Sequence, residues 1–93
     1  MFVSIVCDMG SEDSRAALYD LLPQYGFEKT QRACFESSQV SERQLLAVKR
    51  DIDKVTDYYD TIRMYQFPVE GTLAISVLKE NKWRKVIVRP HKT

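Results

Sequence analysis

The first apolar segment of the chain spans residues 2–7 and is almost continuously apolar and β-branched, with only Ser4 interrupting it. A short run of this kind predicts a central strand that is covered on both faces. The run stops at Asp8, and a turn signal, Gly10, follows at once. The pattern therefore places Asp8 at the end of a buried strand.

A first helix is predicted directly after this strand. Ser11 offers an N-cap, and the two residues after it are acidic, which is the charge that the helix dipole favours. Apolar residues follow at helical spacing, at positions 18, 21, 22 and 25. Because Pro23 cannot donate the backbone hydrogen bond, we expect the helix to end near Leu22 or to finish in a distorted turn.

The middle of the chain predicts strand structure and then a second helix. Residues 27–36 alternate with a period of two, as one long strand or two short ones, and we expect a bend or break near residues 31–33. Ser41 and Gln44 fit a capping box. A helix to about Thr56 follows, with an apolar stripe formed by Leu45, Val48, Ile52 and Val55.

Three strands are expected in the last third of the chain. The first spans residues 61–67 and is closed by Pro68 and a turn at 69–71, and the other two span 72–78 and 83–88 and are joined by a loop of hairpin length. The order of elements predicts an α+β fold, a two-layer sandwich with both helices on one face. It resembles the ferredoxin-like arrangement, in which the first strand lies in the middle of the sheet. Residues 1–71 would form the ferredoxin-like core, and 72–93 a C-terminal hairpin or exchanged strand with a basic tail.

Length and composition indicate one globular domain. The chain has 93 residues, of which 44% are hydrophobic and 29% charged. Domains of this size bury only about 60–65% of their unfolded surface, so association with a second copy would stabilise the fold. The apolar runs are too short to cross a bilayer or to form a secretory signal, and we expect a cytoplasmic protein with no membrane partner.

The charge is distributed unevenly along the chain. Residues 1–78 hold 8 Lys and Arg against 12 Asp and Glu, whereas residues 79–93 hold 6 against 1. The basic segment is either a phosphate-facing strip or a solvated terminal hairpin, and composition alone does not separate the two. Its cations are Lys79, Lys82, Arg84, Lys85, Arg89 and Lys92.

Few side chains in this sequence are candidates for catalysis or metal binding. Cys7 and Cys34 lie in apolar runs and are predicted to be free thiols. The only histidine, His91, is two residues from the C-terminus, so no Ser-His-Asp or Cys-His site can be assembled. Asp8 is the candidate metal ligand, although a single Asp at this position is more simply a turn or capping residue. A second copy across a two-fold axis would supply the second carboxylate.

Four further residues have two interpretations each. Arg63 lies in a predicted strand and would pair with an acidic group or contact phosphate; the paired structural role is the simpler interpretation. Tyr58, Tyr59 and Tyr65 would pack in the core or an interface, or stack on bases.

Three runs of residues together resemble one family. They are 3–8 (Val-Ser-Ile-Val-Cys-Asp), 26–36 (Gly-Phe-Glu-Lys-Thr-Gln-Arg-Ala-Cys-Phe-Glu) and 60–65 (Asp-Thr-Ile-Arg-Met-Tyr). Their order and spacing resemble the CRISPR-associated Cas2 family, the small partner of the CRISPR spacer integrase. The resemblance implies a ferredoxin-like protomer, a homodimer, and a C-terminal strand that packs on the partner's sheet. It further implies a scaffold that holds double-stranded prespacer DNA and bridges two integrase dimers.

The resemblance also implies candidate catalytic residues. Some members of the family are described as Mg²⁺-dependent endonucleases on RNA or DNA, and the family's metal aspartate falls on Asp8. Its basic helix position falls on Arg15, the basic residue after the glycine on Lys29, and the aromatic that ends the second strand on Phe35. The chain departs from the family pattern at Cys7, where an aromatic residue is frequent, and at Ala17 and Ala33. These departures concern the site rather than the fold.

Three hypotheses follow. The first is a scaffold in CRISPR spacer acquisition that binds nucleic acid through Lys82, Arg84, Lys85 and Arg89. The second is a free-standing metal-dependent endoribonuclease or toxin-like nuclease with Mg²⁺ at Asp8. The third is a small dimeric interaction module whose basic tail only adds solubility.

Overall fold

The computed structural model describes residues 1–89. His91 and Lys92, which were considered in the sequence analysis, lie outside the described residues. Within residues 1–89, six strands form one antiparallel sheet in the order β2-β3-β1-β4-β5-β6, and there are two helices. The predicted α+β fold is confirmed, and so is the central position of the first strand. The elements are β1 (Phe2–Asp8), α1 (Glu12–Gln24), β2 (Glu28–Gln31), β3 (Cys34–Ser37), α2 (Glu42–Val55), β4 (Thr61–Val69), β5 (Thr72–Lys79) and β6 (Lys82–Val88).

The core lies between the helices and one face of the sheet. Val3, Ile5 and Cys7 of β1 point into it and pack with the buried residues of both helices. We call this the covered face. The members contributed by the helices are Leu18, Leu22, Leu45, Val48 and Ile52.

The opposite side of the sheet, the open face, is not covered within residues 1–89. Phe2 and Val6 alternate with the core residues of β1 and are 39% and 40% exposed. The prediction that β1 is covered on both faces is therefore wrong for the single chain, because both helices pack on the same side. The other exposed apolar side chains of this face are Phe67, Val86 and Val88.

The first helix runs through Pro23 and ends at Gln24, two residues beyond the predicted end at Leu22. It finishes in a tightened turn, in which the N–H groups of Tyr25 and Gly26 donate to the carbonyls three residues before them. The distorted-turn alternative is thus confirmed.

The middle segment also follows the prediction. Residues 27–36 form two short strands, β2 and β3, with a break at residues 32–33. The second helix has the predicted capping box: the Ser41 hydroxyl accepts from the N–H of Gln44, and the Gln44 side chain accepts from the N–H of Ser41.

Beyond α2, the strands β4, β5 and β6 form a meander. Strand β4 continues through Pro68 to Val69, so the prediction that Pro68 closes it is wrong. The pairing with β5 shifts between Gln66 and Val69, and a proline is tolerated at such an irregularity because no ladder hydrogen bond is required there. The β5–β6 turn consists of Glu80 and Asn81, both with positive φ, as tight hairpin turns require.

Candidate functional site

The carboxylate of Asp8 stands at the end of β1 on the open side of the sheet. Asp8 is exposed, alternates with the core residue Cys7, and pairs with Thr61 of β4. The chain then turns at Gly10. A Cβ atom on this glycine would lie 2.9 Å from the Cβ of Tyr59, so the backbone passes the 57–60 loop at a distance that only glycine allows. The position of Asp8 is therefore set by a close backbone contact.

Asp60 fastens this turn from the other side. Its carboxylate is fully buried and accepts hydrogen bonds from the N–H of Gly10 at 2.7 Å and from the N–H of Asp57 at 2.8 Å. A buried carboxylate needs such donors, since desolvation of an unpaired charge is costly. In the sequence, Asp60 belongs to one of the family-like runs, but no role was predicted for it.

A cleft of about 510 Å³ adjoins Asp8. Three cations line it, Arg15 from α1, Lys29 from β2 and Arg32 from the β2–β3 turn, and we call it the Asp8 cleft. Of the four residues that the resemblance marked as catalytic, Asp8, Arg15 and Lys29 therefore lie at one cleft. The fourth, Phe35, does not line it. The remaining lining residues are Cys7, Met9, Tyr19 and Ala33.

Tyr19 organises the basic side of the cleft. Its hydroxyl donates to the carbonyl oxygen of Arg32 at 2.8 Å, and the Lys29 ammonium lies 5.2 Å from the centre of its ring. The ring meets Phe35 edge to face at a centroid distance of 5.0 Å. Phe35 is only 1% exposed, so it supports Tyr19 from within the core. The catalytic role suggested for Phe35 stays a prediction.

Arg15 is held by its own helix. It forms an ion pair with Glu12, one turn earlier, and this contact raises the pKa of Arg15 and lowers the pKa of Glu12. Both side chains are at the surface, so the pair holds the guanidinium at the cleft and adds little to stability.

Tyr19 and Arg32 are the cleft residues that sequence reasoning missed. Tyr19 lies four residues after Arg15, and side chains at this helical spacing share a face, so a signal was present. The position of Arg32 depends on the hairpin turn between β2 and β3, and the sequence specified only an approximate break there.

Cys7 lines the same cleft but does not suit nucleophilic chemistry. Burial, and then the neighbouring Cys34, raise its pKa to about 12. The thiol is therefore protonated at neutral pH, whereas nucleophilic cysteines need a lowered pKa. Both cysteines are free, as predicted.

A single chain supplies few ligands for a metal ion. Among residues 1–89, no three His, Cys, Asp or Glu side chains are grouped closely enough to hold one. Asp8 contributes one exposed carboxylate, and Mg²⁺ is held in proteins by one or two carboxylates together with water and phosphate. The donor type fits Mg²⁺, and a second Asp8 would have to come from another copy.

The predicted basic strip does not lie on one surface. Because side chains alternate along β6, Lys82 and Arg84 lie on the open side, while Trp83 and Lys85 lie on the helix side. Arg89 is exposed just after the end of β6. The terminal cations therefore reach two different surfaces of the molecule.

Tyr58, Tyr59 and Arg63 lie at the surface, whereas Tyr65 is half-buried. Tyr58 and Tyr59 are 52% and 79% exposed and meet edge to face at 5.5 Å. Packing in the core is therefore wrong for these two, whereas packing in an interface or stacking on bases stays a prediction. Arg63 is exposed and donates to the hydroxyl of Tyr65 at 3.1 Å, and it forms no ion pair within residues 1–89. The acid-paired role expected for Arg63 is therefore wrong within residues 1–89, and its contact with phosphate stays a prediction.

The fold and the cleft together define a small ferredoxin-like α+β protein with an acidic residue beside a basic cleft. Residues 1–86 match the family model described as CRISPR associated protein Cas2. The chain therefore belongs to the Cas2 family, and its role is CRISPR-associated. No curated protein compared with this chain matches it. In residues 1–89 no helix has the length and apolar character needed to span a membrane.

Proposed function

We propose that this protein is a homodimeric scaffold of CRISPR spacer acquisition, which binds double-stranded prespacer DNA and bridges integrase dimers. One observation carries the proposal: Arg15, Lys29 and Arg32 converge on a single cleft at the end of the central strand. Three cations at one opening attract the phosphate backbone of a nucleic acid, and each neutralised phosphate releases counterions. Membership of the Cas2 family supports the same role.

The open face supports a dimer. Its apolar side chains are contributed by β1, β4 and β6, so they extend across the sheet. Several exposed apolar side chains on one face of a sheet favour association with another protein surface. Asp8 lies at the end of the same face, so a symmetric partner whose two-fold axis passes near that end would bring a second Asp8 towards the first.

Sedimentation velocity at several protein concentrations tests the dimer. We expect Val86→Glu on the open face to weaken self-association by more than about tenfold, because it buries an unpaired charge in the interface. Leu46→Glu is the matched control, since Leu46 is 70% exposed on α2 and lies on the other side of the sheet. A monomer at all concentrations for the unmodified chain would contradict the proposal.

DNA binding is tested by fluorescence anisotropy with a labelled duplex at several salt concentrations. Replacing both Lys29 and Arg32 by Gln should lower the affinity for the duplex. The slope of log K against log salt concentration should fall by about 2 for each cleft that contacts DNA, because each lost phosphate contact removes about one unit. Lys54→Gln is the control, because Lys54 is exposed on α2 away from the cleft. Gln variants of Lys82, Arg84, Lys85 and Arg89 then show which surface of β6 contributes. Unchanged binding in all of these variants would overturn the role of both surfaces.

Integrase bridging is tested separately. The protein is mixed with its CRISPR integrase and analysed by size-exclusion chromatography with mass determination. We expect a complex that contains one dimer of this chain and two integrase dimers. Independent elution of the two proteins would contradict the bridging role.

A Mg²⁺-dependent nuclease is the second candidate, and the exposed Asp8 beside the basic cleft favours it. Asp8 would serve as a metal ligand, and Arg15 and Lys29 would hold the phosphate next to it. Mg²⁺ between two such carboxylates would activate water and neutralise charge that develops on the phosphate. RNA and DNA are incubated with the protein in Mg²⁺ and then in EDTA. Cleavage that is lost in EDTA and in Asp8→Asn supports this candidate, whereas cleavage that survives Asp8→Asn overturns the role of Asp8.

A further inference from the structure

A second polar site lies on the covered side of the sheet, under α2 and away from the Asp8 cleft. The ammonium of Lys49, which is half-buried, donates to the Oγ atom of Ser76 at 2.8 Å. The side-chain N–H of Gln66 also donates to the Oγ atom of Ser76, at 3.0 Å. Ser76 is 1% exposed and Gln66 is fully buried. Ser76 and Gln66 thus form a polar floor beside the apolar core of the covered face.

The charge at this site is unbalanced. Lys85 pairs with Ser76 in the β5–β6 register and points to the same side, towards Lys49. The pKa of Lys49 is lowered, first by burial and then by Lys85. Within residues 1–89, neither lysine forms an ion pair with an acid. A half-buried ammonium group is normally paired. Lys49 has a second cation, the exposed Lys85, on its side of the sheet and no counterion, and this indicates a place for an anion.

The two lysines and Gln66 line a cavity of about 210 Å³. Its apolar walls include Leu45 and Val69, and one acid, Glu42, stands among the lining residues. We call it the Lys49 pocket. One N–H of Lys49 is directed at Ser76, and the ammonium also lies 5.3 Å from the ring centre of Trp83. Since an ammonium has three N–H donors, Lys49 retains donors for a ligand in the pocket.

We infer that the Lys49 pocket binds a phosphate group, held between the ammonium groups of Lys49 and Lys85. Phosphate offers several acceptor oxygens and up to two negative charges, which match the two lysine cations that line the pocket. An anion there removes the repulsion between the lysines, and the apolar walls strengthen the interaction by excluding water. The site shares no residue with the Asp8 cleft, and its existence does not depend on the proposed function.

Trp83 is the only tryptophan of the chain and serves as the reporter. Inorganic phosphate is titrated into the protein at constant ionic strength, with chloride as the balancing anion, and Trp83 fluorescence is recorded. We expect a saturable change. Lys49→Gln should weaken binding by about tenfold or more and Lys85→Gln by a smaller factor, because charge-assisted hydrogen bonds are lost. Glu42→Gln should tighten it, because a like charge is removed.

Lys54→Gln is the matched control, since it removes an exposed positive charge from the same helix. Lys85→Gln keeps the test valid even if Lys49→Gln unfolds, because Lys85 is exposed and forms no hydrogen bond to the buried floor. Far-ultraviolet circular dichroism verifies the fold of each variant. A linear response, or equal affinity in the Lys54 and Lys85 variants, overturns the inference.

The same variants identify the source of the phosphate. If the ligand is a phosphate of a nucleic-acid backbone, a short DNA duplex competes with inorganic phosphate for the pocket, and Lys85→Gln weakens both. If the ligand is a free phosphate compound, the duplex does not compete. Either result confirms the pocket, whereas a failure of DNA binding at the Asp8 cleft leaves the phosphate titration unaffected.

Discussion

The two faces of the sheet are formed by the same strands but have different surroundings. On the covered face, Ile5 and Met64 are fully buried, and the polar side chains of Gln66 and Ser76 are hydrogen-bonded to each other. On the open face, Val6 is 40% exposed although it adjoins Ile5 in the chain. Residues 1–89 thus bury the apolar groups of the covered face and leave apolar groups of the open face exposed.

This difference indicates where stability and association reside. Burial of apolar groups against α1 and α2 stabilises the single chain, whereas the apolar groups of the open face contribute fully only when a second surface covers them. Substitutions on the covered face should therefore change the free energy of unfolding, and substitutions on the open face should change self-association.

The largest difference in the free energy of unfolding is expected between substitutions of Ile5 and Val6, which are neighbours in the chain but lie on opposite faces of the sheet. Ile5→Ala should lower the free energy of unfolding by about 3 kcal/mol, because it leaves a cavity in the core. Val6→Ala should lower it by less than about 1 kcal/mol when the protein is dilute. Urea unfolding at low protein concentration measures both. Equal losses for the two variants would show that the open face is buried within the single chain.

A smaller change in stability is expected at the end of β1, where the Asp60 carboxylate holds the turn that follows Asp8 by hydrogen bonds. Asp60→Ala leaves the N–H groups of Gly10 and Asp57 without their acceptor and should cost about 2 kcal/mol of stability. Asp57→Ala is the control, because that exposed carboxylate accepts from the N–H of Tyr59 at the surface. Thermal unfolding compares them. A loss in Asp57→Ala as large as in Asp60→Ala would assign the stability to the loop as a whole.

The sequence predicted what is determined locally. The capping box of Ser41 and Gln44 depends on residues three apart, and the break between β2 and β3 was visible as mixed alternation. The coverage of Val6 was predicted wrongly, because an apolar strand has the same pattern whether its second face meets a helix or another protein. The cation Arg32 reaches the Asp8 cleft through a hairpin turn, and Lys49 reaches Ser76 across 27 positions in the chain. Such long-range contacts depend on packing that periodicity does not encode.

The two free cysteines offer natural probes of the two faces. Cys7 is buried in the core, whereas Cys34 lies on the open side, 3.5 Å from the hydroxyl oxygen of Ser4. At pH 8, iodoacetamide should modify Cys34 at least about tenfold faster than Cys7, because the thiolate is the reacting species and burial keeps Cys7 protonated. Peptide mass mapping follows both rates.

The controls for this labelling use urea and protein concentration. In urea both thiols become exposed, so their rates should converge. If a second copy covers the open face, the modification of Cys34 should slow as the protein concentration rises, while Cys7 is unaffected. Equal native rates would place both thiols on the same side of the sheet.

The smallest effect is expected from a surface contact that is remote from the open face. The Tyr25 hydroxyl donates to the Asp51 carboxylate, and this bond lowers the pKa of Asp51 and raises the pKa of Tyr25. A carboxyl group with a lowered folded-state pKa stabilises the fold above its unfolded pKa, and this contribution is lost as the pH falls through the folded value. For Tyr25, the contribution is present below the ordinary value of 10.0 and is lost as the pH rises through the raised value. The Tyr25→Phe variant should therefore have a slightly lower melting temperature than the unmodified protein at pH 7. At pH values well below 3.8, the ordinary pKa of Asp51, the two proteins should have the same melting temperature. A melting-temperature difference that persists unchanged in strong acid would assign the effect to packing of the ring rather than to the hydrogen bond.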